Sequence, residues 1–215
     1  MKNLLNILEQ SFPLTKKSVG EFEKIKVSGM NFTIEQYHAK GLGNVSVMRA
    51  VGFFGLMKMD TFIINPTECD VPLFSYDRVL AMGNDTLILE LYDTLLAEQD
   101  LTALKKVNEA YSALPAHDLG SHWYDDIKLP ESNAKKGKKR DSASFNSLTT
   151  EYFKAYVEAA IKAPACDGDA KNEKASVYVE GLLSNGGPST DVFLKHYGEE
   201  KTKYLFRNIL FGTQK

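Results

Sequence analysis

Leu4, Leu5, Leu8 and Phe12 fall on one face of a helix, and Pro13 closes it. Beyond Pro13 the apolar spacing changes from the helical period to the strand period. Runs from Phe32 to His38, Val45 to Phe54, Leu56 to Ile64, Arg78 to Met82 and Thr86 to Leu91 predict strands, with Gly41, Gly43, Gly55, Asn65-Pro66 and Gly83-Asn84-Asp85 as turns between them. Connections this short predict an antiparallel meander. The helical period returns with Leu101, Leu104, Val107, Tyr111 and Leu114, behind Asp100 as a cap, and again with Phe153, Tyr156, Val157, Ala160 and Ile161, ahead of Pro164. Two further helical runs follow, Ala175 to Leu183, which Asn185-Gly186-Gly187-Pro188 stops, and Thr190 to Phe211, which Gly198 interrupts. Strands first and helices after them give an α/β chain: one domain over residues 1–215, with a mainly antiparallel sheet sandwiched by helices.

Composition narrows what such a domain can do. With 215 residues, 43% of them hydrophobic, the chain can bury a full core without disulfides or a structural metal. A net charge of -2 and a pI near 6.1 exclude general nucleic-acid binding, which needs a basic field to displace counterions. No run approaches the roughly 18 apolar residues of a membrane span, so no membrane partner is expected. The start Met1-Lys2-Asn3-Leu4 lacks a signal-peptide core, and Cys69 and Cys166 sit in different segments, which together predict a reducing cytoplasm. His38, His117, His122 and His196 are scattered without metal-ligand spacing, so no metal site is expected. Gly41-Leu42-Gly43 and Asn185-Gly186-Gly187 lack the flanking spacing of phosphate loops, and neither a Gly-x-Ser-x-Gly nor a cysteine nucleophile motif occurs.

The unusual feature is an acid inside an apolar, strand-like stretch: Pro66-Thr67-Glu68-Cys69-Asp70-Val71-Pro72-Leu73-Phe74-Ser75-Tyr76-Asp77-Arg78-Val79. Alternation along a strand puts Asp77 and Val79 on one face and Tyr76 and Arg78 on the other. Asp77 then either faces a pocket or serves locally, capping a turn or pairing with Arg78 or another surface cation. A strand ending in Pro, an acidic spacer and a strand opening Pro-x-Phe-x-x-Asp resembles the ferredoxin-dependent bilin reductases, with Ser75 in place of their usual Gly. Later segments match in order: the strand Thr86 to Leu91, Leu114-Pro115 followed by Trp123, the helix after Phe145, Tyr197-Gly198-Glu199-Glu200, and Asn208-Ile209-Leu210-Phe211. The resemblance runs from about Val45 to the C-terminus, and it marks a divergent relative.

It implies a three-layer α/β/α sandwich and reduction of a linear tetrapyrrole such as biliverdin. Electrons arrive singly from reduced ferredoxin through radical intermediates, with no bound metal or flavin. Asp77 matches the family's proton donor. The family's His shortly before the strand-ending Pro falls at Thr61, or at Asp60 if the register slips by one, which makes Asp60 a second candidate donor. The family's Glu on the preceding strand falls near Arg49, which cannot donate a proton but can hold a propionate; Arg49 and Asp60 also fit a simple cross-strand ion pair. Asn185 stands near the family's Asp or Asn before the last helices, where a helix C-cap explains it as well. Arg49, Lys58, Arg78 and Lys128 are candidate propionate anchors, and Trp123, the sole Trp, can stack on a conjugated ligand or pack in the core. The run Lys135, Lys136, Lys138, Lys139 and Arg140 reads as a flexible loop, either simply solvated or able to steer an acidic ferredoxin. An enzyme is one reading; a carrier that kept the tetrapyrrole pocket but lost the proton relay is another, and a filled-core interaction domain without a pocket is the third.

Overall fold

A computed structural model describes residues 1–214. An eight-stranded sheet divides it, every pairing antiparallel: β1 (Leu14–Lys17), β2 (Lys24–Val27), β3 (Met30–Ala39), β4 (Gly43–Gly52), β5 (Met57–Pro66), β6 (Leu73–Ala81), β7 (Asn84–Tyr92) and β8 (Asn133–Lys138). From β3 to β8 the strands lie side by side in chain order, while β1 and β2 share the outer edge of β3. The first helical layer holds α1 (Lys2–Glu9), α2 (Thr102–Ala110) and α3 (Ser142–Lys162); the second holds α4 (Gly168–Asn185), α5 (Pro188–Tyr204) and a π-helical segment, Leu205–Leu210. The protein is thus an α/β/α sandwich around an antiparallel sheet.

Each face of the sheet has its own core. Under α3, Phe62 and Phe74 of the sheet meet Phe153 and Tyr156, with ring centroids 5.0 to 5.5 Å apart across the layers. Beneath the second layer, Phe32 and Ile34 pack with Phe193, Leu205, Phe206 and Ile209. A buried cation ties α4 to the end of the sheet: Lys171 donates to Asp70 Oδ1 (3.2 Å) and the Val71 carbonyl (2.6 Å) between β5 and β6, and to Thr94 Oγ1 (3.2 Å) after β7. All three ammonium protons are therefore used.

Several elements differ from the sequence expectation. The basic run 135–140 is not a flexible loop: its first part is edge strand β8, paired with β7 from Asn84↔Lys138 to Leu89↔Asn133. Opposite Leu87, Lys135 turns toward the first helical layer and is buried, donating to the Leu114 carbonyl at 3.2 Å, so it is not available to a partner. Helix α4 begins at Gly168, well before Ala175, because Asp167 Oδ1 accepts from the amides of Asp169 and Ala170. Gly198 breaks α5 with φ 74°, as the sequence suggests, and Asp100 accepts from the Thr102 amide at 2.9 Å at the start of α2.

Candidate functional site

Register decides which side chains meet. On the face under α4 and α5, Met48, Thr61, Asp77 and Ile88 form one row across β4 to β7, and Ser46, Ile63, Ser75 and Glu90 form the next. Met48, Thr61 and Asp77 of the first row and Ile63 and Ser75 of the second floor a cavity of about 150 Å³. Tyr178 and Leu182 of α4, Thr190 of α5 and Phe206, Leu210 and Phe211 supply the opposite wall. The polar floor groups thus stand against a mostly apolar roof, whose hydroxyls are those of Tyr178, Ser189 and Thr190.

Asp77 is the acid of that floor. Thr61 Oγ1 donates to its Oδ1 at 2.5 Å, and Ser75 Oγ approaches Oδ2 at 3.4 Å. Burial pushes the carboxyl up to about 6; the Thr61 hydrogen bond pulls it down, and the neighbouring Glu90 charge pushes it further up. The local alternatives do not hold, since Arg78 faces away from Asp77 and is occupied elsewhere.

A second carboxyl lies one row along, and sequence reasoning passed it over. Glu90 is buried, its Oε2 accepts from the Tyr92 hydroxyl at 2.6 Å, and its Oε1 has no partner. Burial raises its pKa, against the pull of the Tyr92 hydrogen bond and of Lys128 and His122. The Tyr92 ring stacks on Tyr178 with centroids 3.9 Å apart, and Tyr178 reaches the Asp77 cavity. Glu90 is therefore joined to the cavity wall through a tyrosine pair. The signal was present in the sequence: Glu90 stands between Leu89 and Leu91, an acid in an apolar strand just as Asp77 is.

The remaining expected residues divide by face. Asp60 sits opposite Arg49 and Arg78 in register, and all three point toward the first helical layer, away from the cavity. Asp60 is thus no proton donor to this cavity, and Arg49 and Arg78 are not its anion anchors. Arg78 is a structural clamp: it donates to Asp85 Oδ1 (2.9 Å) and Oδ2 (2.6 Å), to the Ser142 carbonyl (3.2 Å) and to Asn146. The position opposite Thr61 in the cavity row is Met48, not Arg49. Trp123 lies outside the wall, stacked on Tyr178 at 5.8 Å and packed over Gly181, where a Cβ would stand 2.2 Å from the indole. Asn185 donates to the Gly181 carbonyl at 2.9 Å and ends α4 before Gly186, so it serves the helix terminus; Gly187, Ser189 and Thr190 reach the cavity instead. Lys58 is exposed at the strand end, and Lys128 is bound to Asp125 at 2.7 Å.

Among the described residues, no cluster of three or more His, Cys, Asp or Glu is arranged to hold a metal ion, and no helix is long and apolar enough to cross a membrane. No protein-family profile and no curated protein sequence matches the chain. The fold is nevertheless one seen before, that of an α/β/α sandwich closed around an antiparallel sheet. Phytochromobilin synthase from tomato, solved in complex with biliverdin, superposes with a TM-score of 0.80 at 13% identity, over 99% of this chain and 83% of that one. At that identity the likeness establishes the architecture.

Proposed function

We propose that this protein binds a linear tetrapyrrole of the biliverdin type and reduces one of its double bonds, Asp77 supplying a proton and an external reduced ferredoxin the electrons. The observation that carries this reading is Asp77, a carboxyl pushed up to about 6 in the floor of an apolar-roofed cavity, within the fold of a biliverdin-binding protein. A carboxyl with an ordinary value of 3.8 is almost wholly ionised at neutral pH. One held near 6 keeps a usable fraction of its proton, and an apolar ring system laid over it raises that fraction.

Reduction of one double bond consumes two electrons and two protons. Asp77 delivers one proton to the ring system as the first electron arrives. Glu90, joined to the cavity through Tyr92 and Tyr178, is the second carboxyl in reach. The cavity accommodates one pyrrole-sized group, and the rest of a tetrapyrrole extends over the half-exposed floor at Val79, Thr86 and Ile88. Lys136, opposite Thr86 on the same face, is placed for a propionate or for an acidic electron donor, and Lys138 lies beside it. Steering by such lysines acts over about 10 Å at moderate ionic strength.

A carrier without reductase activity is the second reading, and one observation favours it. The resemblance implies a Glu near Arg49 and a His at Thr61 or Asp60, and in the cavity row the residues at those places are Met48 and Thr61, neither of them an acid. One experiment separates the two: biliverdin added anaerobically, absorption recorded before and after reduced ferredoxin, with Asp77→Asn in parallel. A shifted spectrum that then changes only in the unsubstituted protein supports the reductase. A shifted spectrum unaffected by reductant makes the protein a carrier, and no shift at all refutes both.

A further inference from the structure

The end of the sheet where β4 turns into β5 and β6 into β7 carries large apolar side chains that nothing covers. Phe53 is 62% exposed, Phe54 107%, Leu56 72% and Met82 92%. The pairing Met57↔Ala81 sets these two tips side by side. Phe53, Phe54 and Met82 also take left-handed backbone angles, φ 50°, 54° and 50°, unfavourable for bulky residues; both turns therefore hold their side chains outward at a conformational cost.

The charge around the tips is of one sign. Lys26, Lys58, Lys138, Lys139 and Arg140 are all exposed at this end, and the segments 24–31, 51–59, 81–84 and 136–140 contain no Asp or Glu. Of the four acids bordering them, Asp85 is fully buried against Arg78, Asp141 Oδ2 accepts from the Lys138 amide at 2.7 Å, Asp60 lies between Arg49 and Arg78 in register, and Glu23 stands at the far end of β2 from the tip. An apolar protrusion ringed by cations is complementary to an anionic bilayer, whose acyl boundary takes up the apolar groups while its headgroups pair with the amines. A second copy of the chain fits poorly, because a two-fold contact would set the same cations against each other. An acidic protein would satisfy the cations but needs a matching recess for two convex tips.

We propose that this end of the sheet is a peripheral membrane-contact surface, with Phe53, Phe54, Leu56 and Met82 entering the interfacial layer of an anionic membrane and Lys26, Lys58, Lys139 and Arg140 holding its headgroups. This stands independently of the tetrapyrrole reading, since none of these residues lines the cavity.

The test is flotation of the full chain with vesicles of phosphatidylcholine alone or mixed with phosphatidylserine, at low and high salt. Two variants accompany it, Phe54→Asn/Leu56→Ser and Lys139→Glu/Arg140→Glu; Asn tolerates the left-handed backbone at position 54, and all four sites are solvent-exposed, so the fold is kept, as circular dichroism checks. The expected result is flotation with phosphatidylserine vesicles, at least about tenfold weaker with phosphatidylcholine alone, and loss in both variants. Flotation that survives Phe54→Asn/Leu56→Ser would reduce the contact to charge adsorption and overturn the proposal. Absence of flotation with either vesicle overturns it too, as does self-association in sedimentation that the same substitutions abolish.

Discussion

Asp77→Asn isolates the electrostatic state of the cavity floor, because Asn keeps the shape of a neutral carboxyl and can still accept from Thr61. In the unfolded chain the Asp77 carboxyl titrates at its ordinary 3.8, and in the fold at about 6. The gap corresponds to about 3 kcal/mol. Its sign follows from which form the fold prefers. Below 3.8 both states are protonated and the substitution is neutral. As pH rises from 3.8 to 6 the unfolded state ionises first, so the unsubstituted protein loses stability relative to the variant; above 6 the difference is constant. Urea unfolding followed by circular dichroism and by the fluorescence of Trp123 should therefore give equal stabilities near pH 3.5 and an advantage of about 3 kcal/mol for Asp77→Asn at pH 8. A variant no more stable than the parent at pH 8 would refute the claim that the fold holds a proton on Asp77. The pocket would then lack its acid, whatever the spectrum with biliverdin.

Thr61→Val removes the 2.5 Å hydrogen bond that lowers the Asp77 pKa, so the carboxyl should titrate above 6 in a carbon-detected NMR titration. In the same experiment Glu90→Gln removes the neighbouring charge and should lower the Asp77 pKa; an unchanged value would mean the two acids are not coupled. Lys171→Ala leaves Asp70 without its buried cation and should cost about 3–5 kcal/mol in urea unfolding, whereas a loss under 1 kcal/mol would show that the amides of Leu96 and Ala97 suffice for Asp70. Phe74→Ala, at the meeting of Phe62, Phe153 and Tyr156, should cost about 3–5 kcal/mol without altering the Asp77 titration, since it faces the other core.

Element types were legible wherever one face of a segment is apolar. The stripe Phe153, Tyr156, Val157, Ala160 marked α3, and the turn residues separated β3 to β7. What the chain does not write down is register. Residues 61–66 of β5 are buried on both sides, so Phe62, Ile63 and Ile64 follow one another without alternation. Nothing local then tells whether Asp60 or Thr61 joins Asp77; the pairings Met48↔Thr61 and Thr61↔Asp77 decide it. Strand β8 was invisible for a related reason, since Asn133-Ala134-Lys135-Lys136-Gly137-Lys138 has almost no apolar residue and owes its conformation to β7. The Asp77 signal survived because a single acid in an apolar strand stands out without knowledge of its neighbours. Glu90 carried the same signal with no motif around it to draw notice.

The roof of the cavity is joined to its floor by hydrogen bonds that span most of the chain. Gln36 donates to the Asn208 carbonyl at 2.8 Å, Ser46 to that of Leu210 at 2.7 Å, Asn44 to those of Ile209 and Leu210, and Asn65 to that of Phe211 at 2.9 Å. Gln36 also donates to Asn44 within the sheet and Asn65 to Asn172 of α4, whereas Ser46 and Asn44 have their acceptors in residues 209–210. During synthesis the sheet is complete long before that segment leaves the ribosome, and contacts of such sequence separation form slowly. The wall over Asp77, Thr61 and Ser75 is thus the last part of the site to be made, and substitutions at Ser46 or Asn44 should loosen that wall before they loosen the sheet.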